Sequence, residues 1–476
     1  MKEKIKVEHI LSWTDCRLLS GNIKKYICSI STDSRTIKKG DFFIPLAGEN
    51  YDGSDFIPEA LRKGAGGFVF ESRHKERLEL WKKSLGAESS NDPIILRSDS
   101  NLTFLQSIAF GYIRRFSPTV IGITGSVGKT TTKDFLVNIL NRKHTVMFTP
   151  RNYNTEIGVS KSILEIDRQT EFFIAELGMR ARGQIGTLSE ICNLNIGAIT
   201  AVERSHMAFF KDIEEIAAAK GEIAGILRKN DGVLFLNNDD SSSDLIEKNA
   251  GCRIKRFGRD NKIAFNFIER NMDKMGRYTF DFYKNDKKIA EIFLGIPGYH
   301  NIYNACCAAA VGSYLNISGS VIKKGIEEAV IEGSRMEIVI KKDKIVIDDC
   351  YNASPVSVKR AVDTLVLISE KNNMRSIAVL GDMLELGDDS PILHYEIGKY
   401  LSEKKVDVLI ALGNLAESIF EGFKNGSNFD KSKNLCFYFK DKKELAASVS
   451  DLIKSDDLVL VKGSRADKME DIINIL

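Results

Sequence analysis

The sequence predicts an α/β protein of three domains, and three observations carry that prediction. Short β-branched runs alternate with longer amphipathic stretches, the pattern of strands joined by helices. One such run, "TVIGITG", passes through a glycine-rich turn directly into a helical stretch, as in a P-loop ATPase-type parallel sheet. From residue 336 onward, five apolar runs are spaced by helical segments, which describes a compact doubly wound, Rossmann-like domain.

A chain of 476 residues exceeds one ordinary hydrophobic core. Boundaries are expected near residues 115 and 335, giving domains 1–115, 116–335 and 336–476. In the first, "DFFIPLAG" and "GGFVF" are short strands among loops. In the second, "TVIGITG" is a buried strand and residues 129–142 are the helix that follows. "EFFIAELG" (171–178) and "NIGAITAV" (195–202) are further strands, each ending where polar residues begin. Open α/β sheets hold their ligands at such strand ends. In the third, "KIVIDD", "RSIAVLGD", "VDVLIALG", "NLCFYF" and "DLVLVKG" are the strands.

Composition narrows the class. With 43% hydrophobic and 28% charged residues, the chain is globular rather than disordered or fibrous. Its 68 Lys and Arg against 65 Asp and Glu leave no nucleic-acid footprint, although a local basic pocket for an anion is compatible with that balance. "MKEKIKVEHILSW" has no uninterrupted apolar run, so no signal peptide is expected. "NACCAAAVGSYL" is too short to span a bilayer, so no membrane insertion is expected. The eight cysteines form no Cys-x-x-Cys pair, and several lie in apolar surroundings. Reduced, mostly buried thiols in a cytoplasmic protein are expected, not a disulfide framework or a zinc site.

The turn after "TVIGI" fails the general phosphate-loop count, which requires glycine, four residues, then Gly-Lys-[Ser/Thr]. Its chemistry is nevertheless right. Gly125 and Gly128 can adopt the positive φ angles that close backbone N–H groups around an anion. Lys129 would reach the β- and γ-phosphates and Thr130 would ligate the metal; a glycine-rich turn with a solvent-facing lysine is the plain alternative. No Asn-Lys-x-Asp motif is present, which argues against a GTP switch. Glu176 ends the apolar strand "FFIAE", where a carboxylate either binds Mg²⁺ or simply faces solvent. His206 follows another strand end, and a lone histidine is commonly a structural hydrogen-bonder. In "KDIEEIAAAKGEIAGIL", Ile213, Ile216, Ala217, Ala224 and Leu227 form one helical stripe, and Lys220 falls on it. A lysine there must snorkel, pair or lose its charge, and snorkelling is the plainer outcome from these residues alone.

Taken together, these pieces resemble the Mur ligases. The resemblance rests on "STDSRTIKKGDFFIPLAGENYDGSDF" (31–56), "GITGSVGKTTTK" (122–133), "NYNTEIGVS" (152–160), "ELG" (176–178) and "AAAKGEI" (217–223). It continues through "LNNDD" (236–240), "GYHNIYNACCAA" (298–309), "DDCYNASPVS" (348–357), "LGDMLELG" (380–387) and "VKGSR" (461–465). Their order and spacing over nearly the whole chain identify the family. The pair "DDCYNASPVS" and "LGDMLELG" favours the members that add D-Ala-D-Ala to UDP-N-acetylmuramoyl-tripeptide.

The resemblance implies ATP-driven amide bond formation through an acyl phosphate, with catalytic roles for Lys129, His206 and Lys220. It implies ATP contacts at Thr124, Gly125, Ser126, Val127, Gly128, Lys129, Thr130 and Thr131. Asn301 would lie near the adenine, Arg335 would link the central and C-terminal domains through a nucleotide phosphate, and Asp349 would lie near the ribose, with Asp348 as its adjacent competitor. Two Mg²⁺ ions are implied, held by Thr130 and Glu176 and by His206, with Lys220 as a carbamate. Ser34, Asn152, Asn154, Tyr351 and Asn352 are implied substrate contacts. The first domain would bind the UDP-sugar and the third the incoming dipeptide, in a cytoplasmic monomer. Met179, Arg180, Ala201, Glu203 and Arg204 depart from the family's common residues and bear on substrate contacts. A paralogue with a different acceptor, or a silent nucleotide-binding regulator, are the competing readings.

Overall fold

A computed structural model describes residues 1–48, 50–84, 93–204, 209–341 and 344–476. They form two compact units. The first comprises Met1–Gly122, His144–Gly178 and Gln184–Ile196; the second comprises Ile123–Lys143, Met179–Gly183 and Gly197–Leu476. The expected class holds: the fold is mixed α/β with parallel sheets.

In the first unit a five-stranded sheet runs in the spatial order Arg17–Ser20, Ile94–Ser98, Gly67–Glu71, Phe42–Phe43, Ile30–Ser31. Only the first pairing is antiparallel. Trp81 is fully buried beneath it and meets Phe68 and Phe70 edge-on, with ring centroids 5.9 and 5.5 Å away. Such edge-to-face contacts suit the aromatic quadrupole.

Strand β1 (Thr119–Thr124) is buried at every position after Thr119 and apolar from Val120 to Ile123, as a strand covered on both faces must be. It feeds helix α1 (Lys129–Leu140), whose start is set by Gly128 at φ +84°. Strand β2 (Phe172–Glu176) lies parallel to Val146–Phe148 in the first unit. Strand β3 (Ile196–Ile199) is likewise wholly buried. The stripe expected to form one helix is two: α2 (Ile213–Gly221) and a second helix, Ala224–Lys229. Gly221, a poor helix former, sits at the break.

Farther along the second unit, the parallel strands Val233–Asn237 and Arg253–Gly258 continue into an antiparallel set, Phe265–Met272, Arg277–Lys284 and Lys287–Pro297. Sequence reasoning did not anticipate this set, because one polar-alternating face obscures its β-branched signal. Helix α3 (His300–Tyr314) follows and packs along α1.

The C-terminal sheet runs in the order Glu337–Lys341, β4 (Lys344–Asp348), Leu458–Lys462, Ser376–Leu380, Val408–Leu412, Leu435–Phe439. It is parallel apart from the first, unanticipated edge strand. Side chains alternate between two cores. Ile347, Ala378, Leu409 and Leu460 face helix α4 (Pro355–Asn372) and its neighbours, whereas Val346, Val379, Ile410 and Val461 face the opposite helices. That two-sided covering is the doubly wound arrangement expected for residues 336–476. All eight cysteines are free, four of them buried, and no helix among the described residues is long and apolar enough to cross a membrane.

Leu460 is fully buried on a central strand. Leu460→Ala should therefore cost about 2–5 kcal/mol through lost transfer energy and a residual cavity, read as a lower urea midpoint.

Candidate active site

The loop between β1 and α1 is held from one side by the segment that follows β3. Thr200 N donates to Thr124 O at 2.9 Å, extending the strand pairing. Thr200 Oγ1 then donates to the Val127 carbonyl at 2.6 Å. Ser126 N donates to Ala201 O at 2.7 Å. The Ser126 hydroxyl donates to Glu203 O at 2.8 Å and accepts from Glu203 N at 3.0 Å. Residues 200–203 thus form a strap along the loop.

This close approach explains both glycines. A Cβ on Gly125 would lie 2.0 Å from Thr200 Oγ1, and one on Gly128 would lie 2.3 Å from Asn304 Oδ1. Gly128 also needs its left-handed φ to turn the first amides of α1 outward, where a helix N-terminus favours an anion. Lys129 Nζ folds over the loop and donates to the carbonyls of Gly125 at 2.7 Å and Ser126 at 3.3 Å. Thr124, Thr130 and Thr131 are buried at the two ends of the turn.

Lys220 is 2% exposed on α2. It does not snorkel. Burial first, and then the neighbouring Lys129 ammonium, hold its amine well below the ordinary lysine range. His206, by contrast, lies outside the described residues.

Asn301 and Asn304, three residues apart on α3, form a buried amide relay. Asn301 Nδ2 donates to Pro297 O at 2.7 Å, and its Oδ1 accepts from Asn304 Nδ2 at 2.9 Å. Asn304 Oδ1 in turn lies within 3.4 Å of the Thr132 hydroxyl and against Gly128. Both ends of the Asn301 amide are therefore engaged inside the protein, and Asn304 is the one that lines the neighbouring cavity.

That cavity, of about 330 Å³, is bounded by Val127, Glu203, Asp239, His300, Asn304 and Arg360 among others. Burial, and then the Arg360 and Lys462 cations, hold the His300 imidazole down to about 3, so it is neutral near pH 7. Glu203 is ion-paired with Arg360.

The remaining expected residues of the second unit gather at the linker into the C-terminal sheet. The Arg335 guanidinium stacks on the Tyr351 ring, 3.8 Å from its centroid. Glu332 N donates to Asp134 Oδ2 at 3.0 Å, and burial raises the Asp134 carboxyl to about 6. Asp349 pairs with Lys462 and accepts from Met336 N at 3.3 Å, so its carboxylate anchors the linker. Asn352 Oδ1 accepts from Ala353 N at 2.9 Å. Asp348, the neighbour of Asp349, is buried and caps Cys350 N at 3.1 Å.

In the first unit, Asn154 Nδ2 donates to Glu176 Oε1 at 3.0 Å and fixes the orientation of that buried carboxylate. Asn152 is exposed. Ser34 is buried, its hydroxyl donating to Glu59 Oε2 at 3.1 Å.

Sequence reasoning missed Thr200, Asn304, Asp134 and Arg360. Asn304 had a signal, since residues three apart share a helix face with Asn301. Thr200 had a weaker one, as the first polar residue after an apolar strand.

The depressed His300 value has a definite sign. The unfolded chain takes up a proton near the ordinary histidine value of 6.5, while the folded chain resists until about 3. Stability should therefore fall as pH drops from 6.5 toward 3, and His300→Gln should flatten that fall in urea titrations at several pH values.

Comparison with known proteins matches three family descriptions: the Mur ligase middle domain over residues 123–312, the Mur ligase glutamate ligase domain over 334–465, and the Mur ligase family catalytic domain over 26–94. The UDP-N-acetylmuramoyl-tripeptide–D-alanyl-D-alanine ligase of Bacillus subtilis (strain 168) is 34% identical over 94% of this chain and 93% of its own. MurF from Acinetobacter baumannii superimposes with a TM-score of 0.87 at 26% identity, covering 99% of this chain and 98% of that one. The MurF ligase from Thermotoga maritima in complex with ADP gives 0.77 at 26% identity, over 94% and 96%. Full-length coverage at this identity, with the strapped loop and the buried lysine in place, makes the chain a member of the Mur ligase family.

Proposed function

We propose that the chain is an ATP-dependent ligase joining D-Ala-D-Ala to the terminal carboxylate of UDP-N-acetylmuramoyl-tripeptide, a step of peptidoglycan precursor synthesis. The observation that carries this reading is the strapped Gly125–Thr131 loop with Lys220 buried beside Lys129, in a chain that aligns with ligases of that name over nearly its full length.

A carboxylate is a poor electrophile at neutral pH. Attack of its oxygen on the γ-phosphorus of ATP expels ADP and leaves an acyl phosphate. The dipeptide amine then adds to the carbonyl carbon, and the tetrahedral intermediate collapses with loss of phosphate and a proton. Little covalent chemistry falls to the protein, so its contribution is positioning and charge neutralisation. Lys129, held on carbonyl oxygens of its own loop, supplies a cation where phosphate negative charge gathers. The amides at the start of α1 supply fixed donors.

Thr130 and Glu176 each offer an oxygen, the ligand type that Mg²⁺ prefers, and bound Mg²⁺ would neutralise phosphate charge. Lys220 is suited to carbamylation, because a neutral amine adds CO₂ with loss of one proton and becomes an anion. His206 and that carbamate complete the proposed metal set. Ser34, Asn152, Asn154, Tyr351 and Asn352 are the proposed substrate contacts. Arg335 and Asp349 would serve the nucleotide through the linker they hold. The proposed division assigns the UDP-sugar to residues 1–115, ATP to 116–335 and the dipeptide to 336–476. Cytoplasmic action as a monomer belongs to the same reading.

Phosphate release assayed with the UDP-linked tripeptide, D-Ala-D-Ala and ATP tests the assignment. Wild type should turn over with that pair and Lys129→Ala should lose at least about a hundredfold in rate while keeping its fold. Turnover only with another amine acceptor would refute the assignment, and full activity in Lys129→Ala would remove the loop from the mechanism. Lys220→Ala should be inactive and partly rescued by added short carboxylates, which replace the missing anion. Wild-type-like activity without rescue would exclude the carbamate.

A further inference from the structure

Glu203 grips two parts of the molecule at once. Its backbone is bound on both sides to the Ser126 hydroxyl of the phosphate loop, at 3.0 Å through N–H and 2.8 Å through the carbonyl. Its side chain reaches in the opposite direction and pairs with Arg360 on α4. Val358, Ala361, Val362 and Leu365 of that helix are buried against the C-terminal sheet, so Arg360 cannot shift without it. The turn Asp349–Ser354, which carries Tyr351 and Asn352, runs directly from β4 into α4.

The pair is sheltered. The Glu203 side chain is 20% exposed and that of Arg360 is 32% exposed, and both line the cavity beside Val127. A second pair also connects a loop after a central strand to the C-terminal region, Arg180 with Glu385 at 2.8 Å, but its side chains are 67% and 40% exposed. Exposed pairs contribute little, whereas breaking a sheltered one strands a charge away from water. Coupling strength therefore resides in Glu203 and Arg360. Both residues fall outside the motifs that carry the family resemblance, and Glu203 departs from them.

We propose that Glu203 and Arg360 are positioning residues for the ligase reaction. Through them a nucleotide seated in the phosphate loop presets the Asp349–Ser354 turn, which receives the amine substrate. The inference rests on the reading of the site as an ATP-dependent ligase. Neither residue need touch a reacting atom: the loop fixes the Glu203 backbone, Glu203 fixes Arg360, and Arg360 fixes the start of α4.

Hydrogen exchange on the full chain with and without ADP tests this, together with steady-state kinetics on Glu203→Gln, Arg360→Gln, the double variant and the charge swap Glu203→Arg/Arg360→Glu. In wild type, ADP should slow exchange both in the loop, residues 125–131, and in the turn, residues 349–356. In either single variant the loop should remain protected by ADP while the turn loses that protection. The KM for the amine substrate should rise roughly five- to 150-fold, the span of a typical coupling free energy. The double variant should be no worse than either single one, and the swap should recover most of the loss. Turn protection that persists in the singles, or losses that add in the double, would overturn the coupling. Loss of protection in both segments would assign the pair to nucleotide binding instead and overturn it equally. Exchange needs only ADP, so it reads the coupling even if wild type uses another amine acceptor; turnover of the named pair tests the activity separately.

Discussion

The hydrogen bond from the Thr200 hydroxyl to the Val127 carbonyl is the constraint on which the site depends. It is made by the residue that also continues the β1–β3 pairing through its backbone, so the loop inherits the rigidity of a buried sheet. A loop that must present N–H groups to an anion cannot also use them to brace itself. Here only the Ser126 amide is spent on the strap, and the rest of the bracing is done by the Val127 carbonyl and the Thr200 and Ser126 hydroxyls, which leaves the amides that start α1 for an anion. The missing side chains at Gly125 and Gly128 follow from the same constraint, since the strap and the Asn304 amide already occupy the space. Preorganisation of this kind is what a site working by charge placement requires.

The linker into the C-terminal sheet shows a second use of carboxylates. Asp134 on α1 receives Glu332 N, and Asp349 beyond β4 receives Met336 N. Between these two anchors the chain passes through Gly333, Ser334 and Met336, all with positive φ. For the two non-glycine residues that conformation is costly, and it persists because both ends are held. Arg335 lies between them and is held flat on Tyr351. The acidic residues here act first as clamps on backbone.

Much of this was readable from local chemistry. The β1–loop–α1 unit announces itself because glycine, lysine and threonine follow an apolar strand at a spacing few other structures need. Lys220 was readable as an anomaly on an apolar stripe, and its burial removes the snorkelling alternative. The C-terminal sheet was readable because strands buried on both faces are continuous apolar runs. Partnerships at long range were not. Glu203 and Arg360 are 157 positions apart, and nothing near either residue indicates the other. The carbonyl that Asn301 meets was not readable either, because it is set by the turn at Pro297, which local pattern does not encode. The antiparallel strands between Phe265 and Pro297 were hidden for a related reason: half their side chains face outward and read as loop.

The placing of Lys220 beside Lys129 has an effect on the thermodynamics of the whole chain. Burial and the Lys129 ammonium disfavour the charged form of Lys220, so the folded chain gives up a proton that the unfolded chain keeps. A ligand that binds only the folded form adds its own binding term, which at a hundredfold excess over its dissociation constant is about 2.7 kcal/mol. A nucleotide held by the loop is therefore a folding ligand as much as a reactant, and its concentration relative to its dissociation constant sets how much resistance to heat and proteolysis it adds.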